Sequence, residues 1–185
     1  VNLDARLFLL IHNLRRPWLD GPMGWLSKNG YLWVWLLLAA LLLVYRRRAA
    51  PIARDGVLSF LLAIMVAEEW LKPLIHRTRP PHAQALHGLV HVLGSTPPRT
   101  SFSFPSGTSA ACFVGATVLW LALGRRAGIA GILLAITVAL SRAYVGVHYP
   151  GDLIGGAVVG VLVTLGVRRF SAWAGVGAGT LGGKT

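Results

Sequence analysis

Three short groups of residues carry the chemistry-bearing side chains of this chain. Lys72, Arg77 and Arg79 form the first, Ser106, Gly107 and Thr108 the second, and Arg142, His148 and Asp152 the third. Cations beside a helix start make a cradle for a phosphoryl group, because free backbone N–H groups and the helix dipole both favour an anion. Arginine grips phosphate oxygens in pairs, and lysine supplies a point charge. His148 and Asp152 are spaced i, i+4. A carboxylate accepting from one imidazole nitrogen leaves the other free to attack phosphorus. The chemistry such a set implies is phosphoryl transfer through a phosphohistidine, with cations stabilising the transition state. No Asp, Glu or His set has metal-ligand spacing, so neither a metal nor another cofactor is expected.

The elements that must position these groups are membrane helices. The 185 residues are 55% hydrophobic and only 13% charged, with a mean hydropathy of +0.62. That is too apolar for an ordinary soluble domain. Apolar segments lie near 30–45, 57–75, 107–124, 128–147 and 152–168. Each approaches the ~20 residues that cross a hydrocarbon core. Residues 3–28 differ. Leu3, Leu7, Leu10, Ile11 and Leu14 recur at helical spacing among polar residues, until Pro17 interrupts. This predicts an amphipathic interfacial helix, a turn and a second short amphipathic piece. The fold expected is therefore an all-α integral membrane protein with about five transmembrane helices. Residues 1–29 form its interfacial segment, 30–170 its membrane domain, and 171–185 a flexible cytoplasmic tail. Residues 1–29 lack the compact apolar core of a cleavable signal.

Charge orients the spans. Lys and Arg outnumber Asp and Glu by 18 to 6, a net charge of +12. Arg46, Arg47, Arg48 and Arg54, then Arg125 and Arg126, then Arg168 and Arg169 all fall on one face of a five-span chain. By the positive-inside rule that face is cytoplasmic. Basic clusters that punctuate apolar runs suit anionic lipid, and no nucleic-acid partner is expected. The three chemistry-bearing groups then gather at the opposite, extracytoplasmic face. For any one of these cations, snorkelling to the interface is an equal explanation. Snorkelling does not explain why every junction on that face carries them. Cys112 reads as a small buried apolar residue. Gly151, Gly155, Gly156 and Gly160 in the last span read as internal helix packing, with a homodimer face as the alternative.

The stretches KPLIHRTRP (72–80), PSG (105–107) and SRAYVGVHYPGD (141–152) resemble the three signature motifs of the type 2 phosphatidic acid phosphatase superfamily. The resemblance spans 72–152 and implies a helical membrane enzyme whose site lies at the extracytoplasmic ends. It implies that Lys72, Arg79, Ser106, the Gly107 amide and Arg142 bind phosphate. It makes His148 the nucleophile and Asp152 its orienting carboxylate. Arg77 lies inside the first motif and is assigned to a distal phosphate or lipid headgroup.

The second family motif ends in histidine, where this chain has Thr108. In the family that histidine protonates the leaving oxygen and assists water. Thr108 in its place is a disabling replacement, the mark of a lipid-binding protein, or a sign that the substrate needs no strong acid. The third reading favours a diphosphate, whose leaving phosphate has a second pKa of about 6. The expected substrate is a polyprenyl diphosphate such as undecaprenyl diphosphate. Phosphatidylglycerol phosphate, phosphatidic acid, lipid A 1-phosphate and a phosphotransferase reaction are the alternatives. The expected setting is a bacterial inner membrane, with the site facing the periplasm or exterior and membrane lipids as partners. His82 and His87 are possible accessory groups on the outer loop. Glu68 and Glu69 read first as partners that offset the charge of Lys72 or an arginine, with a proton-donor role as the alternative.

Overall fold

The computed structural model describes residues 2–44 and 46–175. Helix α1 spans Leu3–His12, capped where the Asn2 side chain accepts from the Ala5 N–H at 2.9 Å. Its exposed face carries Leu3, Leu7 and Leu10, with Leu14 just beyond its end, while Ala5, Phe8 and His12 are buried on the other face. Phe8 stacks on His12 at 5.3 Å and meets Tyr149 edge-on at 5.6 Å. An apolar stripe facing outward from an otherwise packed helix suits a membrane interface.

Helix α2 runs unbroken over Pro17–Val44. The short second amphipathic piece expected after Pro17 is thus the first part of this 28-residue helix. The physical reason lies in position. Pro17 is the first helical residue, where a missing N–H goes unused, so it starts a helix instead of interrupting one. Helix α3 spans Arg46–Met65, and a π-helical turn, Val66–Leu71, joins it to α4, Lys72–Ile75. The helix that carries the second apolar segment therefore begins at Arg46, well before residue 57. Its end is marked by His76, which caps α4 in the left-handed region at φ 51° and donates its N–H to the Lys72 carbonyl. Short 3-10 turns at Pro80–His82 and Gln84–Leu86 begin the outer loop.

Helix α5 spans Gly107–Leu123, α6 Arg125–Tyr144 and α7 Pro150–Trp173. Helices α6 and α7 are each long and apolar enough to cross a membrane, and α5 is a shorter apolar helix. Helix α5 sits between α3, α6 and α7. The core around it is built from small side chains, among them Ala63, Cys112, Ala116, Ala135 and Val138. The burial of Cys112 matches its reading as a small apolar residue.

Close helix approach decides this packing. A Cβ on Gly156 would overlap the Ser106 carbonyl and come within 2.9 Å of Ser109 Cβ. One on Gly160 would overlap the Ala110 carbonyl. Gly155 and Gly151 face Phe104 and Asp4. Gly151, Gly155, Gly156 and Gly160 thus make close contacts within the chain, as the internal-packing reading expects. Far from the three motifs, Asp55 is buried and held by Arg54, by Arg168 at 2.9 Å and by the Ser171 hydroxyl at 3.0 Å. Arg54 and Arg168 therefore neutralise a buried carboxylate, a role their placement between apolar runs did not reveal. Of the predicted tail, residues 176–185 lie outside the described residues.

Gly156→Ala forces a methyl into backbone at the start of α5, where no side chain can yield. Loss of at least about 1–3 kcal/mol is expected, read as a lower unfolding midpoint in detergent. Gly166→Ala, with open space around it, is expected to hold or raise the midpoint.

Candidate active site

The turn between α6 and α7 carries the central pair. Tyr149 caps α7, Pro150 occupies its first turn, and Asp152 lies three residues in. The Asp152 carboxylate accepts the Tyr149 N–H at 2.8 Å and faces His148 Nδ1 at 3.3 Å. On its other oxygen it accepts from Arg77 at 2.8 Å and from the Ser103 hydroxyl at 3.5 Å. Both His148 and Asp152 are buried. His148 Nε2 lies 3.1 Å from Arg79 Nη1. A guanidinium only donates and a carboxylate only accepts. The imidazole is thus held as the tautomer protonated on Nδ1, with the Nε2 lone pair facing the cations. Burial pushes the His148 pKa down to about 4. The Asp152 carboxylate opposes that shift, and the charges of Arg79 and Arg142 add to it.

Arg79 is buried and fully engaged. It donates to the Ser101 carbonyl and hydroxyl and to the Val147 carbonyl at 3.1 Å. Burial lowers its pKa, while Asp152 and Glu68 raise it. Lys72 is also buried and gives its ammonium to both oxygens of Glu68, at 2.7 and 2.6 Å. This matches the reading of Glu68 as the charge partner of Lys72. Glu69 is exposed.

The second group closes the cradle. Ser106 caps α5, its hydroxyl accepting the Ser109 N–H at 3.3 Å, and its own N–H donates to the Asp152 carbonyl at 3.0 Å. Gly107 begins the helix with one oxygen of Glu68 packed over its α-carbon. Thr108 follows in the first turn, half-buried. Arg142 reaches towards α2, where it donates to the Ser27 carbonyl at 2.9 Å and hydroxyl at 2.8 Å. Its Nε is buried without a partner. A cavity of about 650 Å³ opens beside Arg79 and Arg142, walled by Ser27, Lys28, Leu93 and Pro97.

Arg77 does not face that cavity. It forks between Asp152 and Asp4, at 2.8 and 2.5 Å, and lies 4.2 Å above the Tyr149 ring. Both arms of this guanidinium are held by carboxylates of the chain. Asp4 also accepts the Gly151 N–H at 2.8 Å. His82 donates from Nε2 to the Pro97 carbonyl at 2.7 Å and so fastens the outer loop, while His87 is exposed. Among the described residues no hydrogen bond joins either histidine to His148, Lys72, Arg79 or Arg142. Ser27, Lys28, Ser101 and Asp4 were missed. Assigning residues 17–28 to an interfacial piece hid the first two, and nothing local marks Asp4 as a partner for a residue 73 positions away. Among the described residues no cluster of His, Cys, Asp and Glu has the make-up of a metal site.

Residues 54–175 match the PAP2 superfamily. An undecaprenyl-diphosphatase of Sulfolobus acidocaldarius is 35% identical over 86% of this chain and 74% of its own length. A lipid A 4'-phosphatase of Bacteroides thetaiotaomicron is 28% identical over 86% of this chain and 72% of its own. The crystal structure of Aquifex aeolicus LpxE superposes with a TM-score of 0.75 at 29% identity, covering 91% of this chain and 96% of that one. With that match over the whole of the site, the chain belongs to the PAP2 superfamily.

Proposed function

We propose that this protein is a membrane lipid phosphatase that hydrolyses a lipid diphosphate, best a polyprenyl diphosphate, through a phosphohistidine at His148. One observation carries the reading: Asp152 holds Nδ1 of a buried imidazole whose Nε2 faces Arg79. The substrate's terminal phosphate enters between Lys72, Arg79, Arg142, Ser106 and the Gly107 amide. Arg79 moves its Nη1 from His148 onto a phosphate oxygen, which frees the lone pair. Nε2 attacks phosphorus, the bond to the bridging oxygen breaks, and the lipid monophosphate leaves with the electron pair. Asp152 stabilises the imidazolium side of the intermediate. Water then releases inorganic phosphate. The cavity beside Arg79 and Arg142 supplies room for the inner phosphate, with Lys28 on its wall.

The same reading places five spans, α2, α3 with α4, α5, α6 and α7, across the membrane. The Arg clusters then lie in the cytoplasm and the site faces the exterior. Thr108 favours the diphosphate over a monoester. A monoester expels a strongly basic alkoxide, and general acid help is worth about 10²–10⁴-fold there. A diphosphate expels a far weaker base. The undecaprenyl-diphosphatase relative points the same way. Metal-independent catalysis is part of the proposal.

Phosphate release in detergent tests it against polyprenyl diphosphate, phosphatidylglycerol phosphate and phosphatidic acid. Turnover of the diphosphate is expected, with little gained by Thr108→His, which raises monoester turnover instead. Silence on every substrate that Thr108→His reverses would show a disabled site. Silence in both proteins would favour a lipid-binding role.

His148→Ala is expected to reduce turnover to background. Asp152→Asn is expected to cost on the order of 10⁴ in kcat, because the tautomer is lost. The neutral imidazole is the active form, so kcat/KM should hold through pH 6.5 and fall only near the depressed His148 value of about 4. An acid limb near 6.5 would contradict this.

Arg77→Ala leaves the buried Asp152 carboxylate without its cation. A loss of about 3–5 kcal/mol is expected, seen as a lower unfolding midpoint. The double variant with Asp152→Asn should recover part of that loss, because the stranded charge is gone.

A further inference from the structure

Replacing the family histidine by threonine leaves two proton transfers to account for. A diphosphate's leaving group needs little help. The second step does, because water is a poor nucleophile towards a phosphohistidine until a base takes its proton. The chain has six carboxylates with which to do this. Asp55 lies at the cytoplasmic end, bound by Arg168 and Ser171. Asp20 is held by Arg15 and Tyr144, and Asp4 by Arg77 and Gly151. Asp152 is consumed by Arg77, Tyr149 and His148. Glu69 is exposed. Glu68 has an oxygen placed between Lys72 and the first residue of α5.

Its placement is specific. Glu68 bridges two phosphate-binding elements, the Lys72 ammonium and the first residue of α5, one position before Thr108. Its charge also reaches Arg79, whose Nη1 touches His148 Nε2. A phosphoryl group held between Lys72, Arg79 and the α5 N-terminus therefore has this carboxylate at its flank. Glu68 is carried on the π-turn Val66–Leu71, a backbone feature that costs helix regularity and is frequent at functional sites. A side chain 37% exposed keeps an open edge through which a proton can leave.

We propose that Glu68 is the general base of dephosphorylation, taking the part that the motif histidine plays elsewhere in the family. The proposal rests on the phosphohistidine reading above. A water oxygen forms the new bond to phosphorus as the bond between phosphorus and Nε2 breaks. The electron pair returns to Nε2, and the water proton passes to the Glu68 carboxylate and then to solvent. Glu68 is thus catalytic, and its ion pair with Lys72 aims it.

Rapid quench into alkali, which preserves phosphohistidine, tests this with polyprenyl diphosphate labelled in its terminal phosphate. In Glu68→Gln the burst of lipid monophosphate should stay within about threefold of the parent. Steady-state phosphate release should fall by about 10²–10⁴-fold, and label should accumulate on His148. Adding Thr108→His should restore turnover and clear the label. Loss of the burst itself would reduce Glu68 to a charge partner of Lys72 and overturn the proposal, as would unchanged turnover. If Glu68→Gln fails to fold, Glu68→Asp takes its place. It keeps the charge but withdraws the base, so accumulation of label is again expected, and its absence with turnover intact would overturn the role. A second readout separates the two proposals. Parent protein that turns over with neither label on His148 nor loss in His148→Ala overturns the phosphohistidine reading and Glu68's role together. Label in the parent with none added by Glu68→Gln overturns only Glu68.

Discussion

A carboxylate with no exposure to solvent is the constraint around which the site is built. Asp152 is the carboxylate that faces His148 Nδ1, and a buried charge without partners is costly. Arg77 from the outer loop, the Tyr149 N–H and the Ser103 hydroxyl meet that demand together. Each comes from a different stretch of chain, so satisfying one carboxylate brings the first and third motifs together. The second is fastened by the Ser106 N–H on the Asp152 carbonyl. Asp4 extends the same network into α1 by sharing Arg77. Helix α1 is thereby joined through two ion pairs to the carboxylate that holds His148.

Holding these groups at one end requires helices that touch backbone to backbone. In lipid, apolar burial gives little drive to helix association, and small residues that allow close contact do the work. Gly156 and Gly160 let α7 lie directly on α5, which sets the Ser106–Gly107 turn against the start of α7. A larger residue there would separate the two halves of the cradle by more than the tolerance of a phosphoryl site. Packing in the middle of the bundle and geometry at its end are therefore one problem.

Much of this was legible before the structure. His148 and Asp152 meet because i, i+4 residues share a helical face, and Lys72, Arg79 and Arg142 stood out as charges at the ends of apolar runs. The Glu68–Lys72 pair followed from the same spacing. What stayed hidden had no periodic signature. The polar stretch 17–28 read as interfacial because composition cannot distinguish a surface helix from the polar end of a long span. Ser27 and Lys28 were therefore overlooked as walls of the cavity. Arg77 shares a motif with Lys72 and Arg79, and only the three-dimensional path of the chain turns it towards Asp4 and Asp152. Arg168 looked like a lipid anchor because its partner, Asp55, lies 113 residues away.

Thr108 then takes its meaning from what surrounds it. A site that had lost catalysis would have no cause to preserve a buried carboxylate, a fixed imidazole tautomer and two buried cations, since each costs stability in a small membrane domain. These features persist here, and a Glu68 oxygen lies against Gly107, the residue before Thr108. Carboxylate and imidazole differ in which proton transfer they serve. An imidazole can serve as acid and as base in one cycle near neutral pH. A carboxylate can take a proton from water as a general base. A chain that exchanges the first for the second keeps the water-activating half of the cycle and gives up the leaving-group half. Only a substrate with a stable leaving group tolerates that exchange, and the diphosphate meets the requirement on chemical grounds alone.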